Sequence, residues 1–405
     1  MLISETVQVS QPPQIVNDCI LEILLYLTND HLTLYNCIRV NRIWCQLAIP
    51  LLWKNPFKSE SPKIIQTLIQ SLDAQWRNQL LRRRAFNSSL SSSLPSTLYN
   101  YSSFIQHFDF SSFKTSVTKW LFVLLNRNPK YVEMIFVYQL VGTYVFKNTR
   151  GFVSLNIEYD HNKINDDFDY YGDPGEIFDE EVTSNFLELY DISKFGNFKD
   201  AMANIESLKY TFLGFEPTYH QKDFIKAISG IFIKLNLCCD NIQNLIIHSF
   251  IENEFVEHIN FVRNITSGII KNQKNLQSIS FFEEWRDEKG SDTFFSSLAE
   301  YQQTKNTLKS LKFRYFSDIG GLLPFLSIRH SLETLEFTKY FCDYDVLEFC
   351  TSHMNTIAPI HIKNLKFYQI RFDPIGTYNH IGSLHCDEFR KNIYMMNGKI
   401  STTFG

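Results

Sequence analysis

Few residues in this chain are placed to do chemistry. Eight cysteines, at positions 19, 37, 45, 238, 239, 342, 350 and 386, form no C-x-x-C pair, and in a reducing compartment such thiols serve as small buried hydrophobes. The eleven histidines are dispersed. His380, His385 and Cys386 make the one group of metal-ligating types, yet it lacks the paired spacing of a zinc site and reads more simply as surface residues. Residues 158–181 hold ten acids against one lysine. A calcium loop started at Asp167 gains Asp169 and Gly172 but puts Tyr171 and Phe178 where ligands must stand, so the stretch is expected to be a solvated insertion. There is no Gly-rich phosphate loop, no G-x-S-x-G elbow and no H-E-x-x-H helix. The expectation is a non-catalytic protein with no cofactor, one that works by binding.

Bulk properties narrow what it binds. At 405 residues and 44% apolar content the chain can bury a large core. A net charge of −4 and a pI near 6.3 argue against a nucleic-acid binder, which carries a basic footprint. The longest apolar runs, such as Ile23 to Leu27 and Trp120 to Leu125, are far short of a membrane span. The first residues, MLISETVQVSQPP, lack a basic region followed by an apolar core, which favours a cytoplasmic or nuclear location with no membrane partner.

The elements that must do the positioning begin at residue 15. Ile20, Ile23, Leu24 and Leu27 recur at the three-to-four spacing of a helix stripe. After Thr28-Asn29-Asp30 a second pattern runs through Leu34, Cys37, Ile38 and Val40, and a third through Trp44, Leu47, Leu51, Leu52 and Trp53. Helices this short cannot bury their own apolar faces, so they pack on the rest of the chain or await a partner. The plain alternative is a helical cap. The order acid-x-Ile, Glu-Ile-Leu, Val40-x-Arg42-x-Trp44, then Leu52-Trp53 resembles an F-box, here spanning 10–56. Where that family has Leu-Pro at its start, this chain has Ile15-Val16, with Pro12-Pro13 just upstream.

A second pattern fills residues 105–370. Apolar, two residues, apolar, one residue, apolar recurs at Ile105-Phe108-Phe110, Phe152-Leu155-Ile157, Ile205-Leu208-Tyr210 and Ile242-Leu245-Ile247. It returns at Leu276-Ile279-Phe281, Leu308-Leu311-Phe313, Leu332-Leu335-Phe337 and Ile362-Leu365-Phe367. The residue just before each second anchor is polar: His107, Ser154, Ser207, Asn244, Ser278, Ser310, Thr334 and Asn364. The last two anchors share one strand face and their neighbours point the other way. Helical periodicity lies between copies, at Phe224 to Phe232 and Phe255 to Ile269, for example. A strand followed by a helix, repeated every 24 to 53 residues, resembles a leucine-rich-repeat solenoid. The family's Asn or Cys three residues past the last anchor is absent from every copy, so its side-chain ladder is replaced, with aromatic packing the expected substitute. An α/β domain of another kind remains the alternative. Residues 57–104 read as a helical segment, from Ile64 to Arg84, and a Ser-rich linker; 371–405 read as a tail without a repeat.

The expected fold is therefore α/β, a short three-helix F-box followed by an irregular solenoid of parallel strands and helices. The resemblance implies a substrate-recognition adaptor of a Skp/cullin/F-box ubiquitin ligase. In that role Ile15, Ile20, Ile23, Leu24, Val40, Trp44, Leu47, Leu52 and Trp53 would meet a Skp-family adaptor bridging to a cullin, and the repeats would hold a target protein. On the strand face the anchor-like patch is Ile246, His248 and Phe282, and Lys312, Arg314 and Lys366 would favour an acidic or phosphorylated segment. The other class open to such a sequence is a repeat scaffold that acts without a ligase.

Overall fold

The repeated anchors become a sheet. In a computed structural model, nine parallel strands lie in chain order, so that each pairs with the repeats before and after it. They are β1 (His107–Asp109), β2 (Ser154–Asp160), β3 (Ser207–Leu213), β4 (Asn244–Phe250), β5 (Ser278–Glu283), β6 (Ser310–Arg314), β7 (Thr334–Thr338), β9 (Asn364–Tyr368) and β11 (Lys399–Thr403). Two short strands, β8 (Phe341–Cys342) and β10 (Arg371–Phe372), pair separately. The structure describes residues 17–83, 86, 97–160, 191–213, 221–250, 256–283, 292–314, 325, 331–338, 341–342, 364–368, 371–372 and 399–403. Ile15, most of the Ser-rich linker and of the acidic insertion, and His380, His385 and Cys386 lie outside those residues.

The fold is α/β, and its core follows from the anchor spacing. Leu155, Ile157, Leu208, Tyr210, Leu245, Ile247, Ile279, Phe281, Leu311 and Phe313 are all buried, in one cluster with helix residues such as Phe232, Leu235, Ile269, Ile270, Phe294 and Leu298. The first copy departs from its pattern. Phe110, expected as a strand anchor, begins the helix Phe110–Leu125, because the Asp109 carboxylate accepts from the Ser112 N–H at 2.9 Å and caps it there. A second helix, Tyr131–Asn148, completes that crossover. The helical stretch Ile64 to Arg84 is two helices, Pro62–Ser71 and Ala74–Leu81. Asp73, extended, accepts from Gln75 and Trp76 and starts the second. The segment 371–405, expected to lie beyond the array, supplies β11, which extends it past β9.

The substitute for the missing ladder comes from side chains at or just beyond the helix ends. The Gln273 amide nitrogen donates to Cys239 O (3.0 Å) and Ile269 O (2.8 Å), and its oxygen accepts from Ile242 N (2.8 Å). One repeat on, the Tyr301 hydroxyl accepts from Leu276 N (2.7 Å) and Thr307 donates to Leu276 O (2.8 Å). Cys239 and Ser331 serve Met202 O and Leu308 O in the same way, at 3.2 and 2.9 Å. Each repeat thus satisfies buried backbone groups of the one before it, an obligation in a dry core.

A backbone ladder runs beneath. Gln106 O accepts from Val153 N and Ser154 N at 2.7 and 3.1 Å, Val153 O from Glu206 and Ser207 at 2.9 and 3.1 Å, and the pattern continues through Glu206, Gln243, Gln277 and Lys309. Its first member is Lys54, whose carbonyl accepts from Gln106 N and His107 N, both at 3.0 Å. Trp53 therefore stands where Ile105 and Phe152 stand in later copies. Residues 53–57 are a zeroth repeat that ends as the 3-10 turn Pro56–Ser59, since Pro56 has no N–H to give a parallel ladder.

Candidate interaction surfaces

Two surfaces carry the residues singled out in the sequence. The first is built by α1 (Asn17–Tyr26), α2 (His31–Cys37) and α3 (Arg42–Leu52). Asp30 caps α2 through Thr33 N at 3.0 Å, and Asn41 caps α3 through Trp44 N at 3.0 Å. Ile20, Leu24, Leu34, Cys37 and Ala48 form a small core of their own, with Leu27, Ile38, Trp44, Leu47, Leu51 and Leu52 packed around it.

This divides the residues expected at an adaptor contact. Ile20 and Leu24 are 4% and 0% exposed, so they hold the helices together instead of facing outward. Trp44, Leu47 and Leu52 are half-buried against that same core. Trp53 packs on the large core, its ring 4.4 Å from that of Tyr101. Ile23 and Val40 remain exposed, at 45% and 61%. Leu25, Tyr26, Leu32, Tyr35 and Ile43, which the stripe did not include, are exposed as well. Their signal was available: a helix as short as α1 that is apolar nearly all round has more apolar surface than one neighbour can cover.

The second surface is the strand face turned away from the anchors. Parallel pairing sets its residues in rows. One row runs Asp109, Asn156, Lys209, Ile246, Ser280, Lys312, Glu336 and Lys366; the next runs Glu158, Thr211, His248, Phe282, Arg314 and Thr338. Five of the expected target residues, Ile246, His248, Phe282, Lys312 and Arg314, meet here and are half-buried. Lys366 holds its place by backbone register beside Glu336. The His248 and Phe282 rings meet edge to face at 4.2 Å, and the Arg314 guanidinium lies 5.9 Å from the Phe282 centroid. Burial, with Lys209 and Arg314 converging on it, pushes the His248 imidazole down to about 4. Lys312 reaches Glu336 at 3.5 Å.

Two polar atoms on this face stand out. The Thr211 hydroxyl and the Asn156 carbonyl oxygen are buried with no hydrogen-bond partner among the described residues, while the Asn156 amide donates to Asp109 at 2.5 Å. At the strand start, His107 Nδ1 and Ser154 Oγ are 2.7 Å apart, and burial next to Lys54 lowers the His107 pKa. Among the described residues no group of three or more His, Cys, Asp or Glu is placed to hold a metal ion, and no helix is long and apolar enough to cross a membrane.

Comparison with known proteins adds little to this geometry. No family model matches the chain, and no curated protein matches it. Among solved structures it is similar to a Bacteroides fragilis protein determined as a structural-genomics target, at 12% identity and a TM-score of 0.24, over 50% of this chain and 68% of that one.

Proposed function

We propose that this chain is the substrate-recognition subunit of a Skp/cullin/F-box ubiquitin ligase, its N-terminal helices an F-box and its strand–helix array an irregular leucine-rich-repeat solenoid. The observation that carries the reading is the number of exposed apolar side chains on α1–α3 and the turn before α3, at Ile23, Leu25, Tyr26, Leu32, Tyr35, Val40 and Ile43. A unit this small gains nothing from showing so much apolar surface to water unless another protein covers it. The spacing that resembles an F-box supports the same reading. Mechanism in such a protein is apposition: the helices hold a Skp-family adaptor, which bridges to a cullin, and the strand face holds the target near a ubiquitin-charged enzyme. Effective concentration and orientation are what it supplies. No catalytic group and no cofactor of its own is required.

Co-purification with a Skp-family adaptor tests this. The wild-type chain is expected to capture the adaptor, and Val40→Glu with Ile43→Glu to lose it while melting at an unchanged temperature, because both side chains are exposed. A well-folded wild type that captures no adaptor leaves the second reading, a repeat scaffold without a ligase, in which the same apolar helices cover some other partner.

A further inference from the structure

The strand face has a polarity of charge that the anchors do not require. At its outward positions β1 and β2 carry Asp109 and Glu158 and no lysine or arginine, whereas β3 to β6 carry Lys209, Lys312 and Arg314 and no acid. Between those cations lie Ile246, His248 and Phe282, the apolar part of the face. Lys209 on β3 and Arg314 on β6 flank them from opposite sides.

We infer that β3–β6 bind an extended, anionic segment of a partner protein, laid across the strands with an apolar side chain seated on Ile246 and Phe282 and acidic groups on either side. This rests on the reading of the strand face as the target-binding surface and adds its chemistry. Lys209 and Arg314 are three strand intervals of about 4.8 Å apart and, being in neighbouring rows, two residues of about 3.4 Å apart along the strands, roughly 16 Å in all. Two acids about four to five positions apart in an extended peptide, with an apolar residue between them, therefore match the spacing of the cations. Ammonium and guanidinium groups take carboxylates directly, so the segment is an acidic one that carries glutamate or aspartate. The Thr211 hydroxyl, buried with no partner among the described residues, is a donor beside this track. His248 sits between the two cations, where burial first and then Lys209 and Arg314 keep its imidazole neutral. Lys312, which also reaches Glu336 at 3.5 Å, stands in the row of Lys209 on the strand that carries Arg314.

The test is fluorescence anisotropy of the full chain with three labelled peptides: two glutamates four positions apart around a leucine, the same peptide with glutamines, and the same with phosphoserines. The glutamate peptide is expected to bind at least about tenfold tighter than the glutamine one, and to weaken several-fold between low and physiological salt. Binding of the phosphoserine peptide alone would overturn the acidic segment as the occupant. Lys209→Glu should remove that preference, and Arg314→Gln should remove it independently should the first variant fail to fold. Equal binding of all three peptides, or tighter capture of a labelled polyuridine strand, overturns the proposal. No adaptor is present in this assay, so its failure is distinct from failure of adaptor capture, which would remove the ligase and leave the peptide result standing.

Discussion

At the scale of single residues, burial reassigns roles that spacing alone gave out evenly. Ile20, Ile23 and Leu24 are equivalent apolar residues in the sequence, yet one is exposed and two are core, because the other two helices close over only one side of α1. Changing Leu24 to Ala is expected to cost about 2–5 kcal/mol, whereas changes at Val40 stay near zero. His248 gives a pH dependence whose sign can be worked out. Its pKa in the unfolded chain is near the ordinary 6.5, and in the fold it is pushed down to about 4. Between those values the unfolded chain binds the extra proton and the folded chain does not, so stability present above pH 6.5 is lost as pH falls toward 4. His107 is shifted the same way by burial and Lys54. His248→Gln is therefore expected to reduce, but not abolish, the loss of unfolding free energy between pH 7 and pH 4.5, measured by urea denaturation. An unchanged slope would show that neither burial nor Lys209 and Arg314 depress this imidazole in the fold.

At the scale of elements, the strands were legible and their ties were not. Seven of the eight predicted copies form strands over both closing anchors, because a period-two pair behind a fixed polar residue is a strong local signal. The first copy yielded its third anchor to a helix once Asp109 capped it. β11 was missed because Lys399-Ile-Ser-Thr-Thr offers a single large apolar residue, leaving pairing with β9 to define it. The buried polar ties went unseen for a different reason. Tyr301 lies on a helix and Gln273 just beyond one, each far in sequence from groups it satisfies in the preceding repeat, and nothing local distinguishes a glutamine that faces a core from one that faces water. The tie at Gln273 can be measured. Gln273→Leu leaves the Ile242 N–H and the Cys239 carbonyl without their partner, and is expected to cost about 1–3 kcal/mol with an unchanged urea m-value. Its neighbour Lys274 pairs with Asp240 at the surface, with side chains 68% and 52% exposed, and Lys274→Ala should change stability by less than about 0.5 kcal/mol. Equal effects at the two positions would deny Gln273 its role in the ladder.

At the scale of the whole molecule, the question is whether the helical unit and the sheet move together, since apposition is only as good as the rigidity between the two surfaces. The sequence divides them into an F-box, a linker and repeats, and in doing so conceals the joint. Trp53 closes the helical pattern and Pro56 the F-box bounds, yet they occupy the anchor positions of a repeat whose carbonyl, at Lys54, opens the backbone ladder. Phe57 completes the joint. It is fully buried, with its ring 5.6 Å from Phe108 and 5.0 Å from Phe113, so the end of α3 is pinned to the first strand and the first crossover helix. An array of stacked repeats needs its end covered, and here the covering element also carries the exposed apolar helices. Phe57→Ala is expected to cost about 3–5 kcal/mol and, at temperatures where the chain remains folded, to loosen the joint. Spin labels at Tyr26 and Asn244, both exposed, should give one narrow distance distribution in the wild type and a broad one in the variant. A distribution already broad in the wild type would mean that the two surfaces are tethered without being fixed, and that any transfer to a bound target depends on chance encounter within the complex.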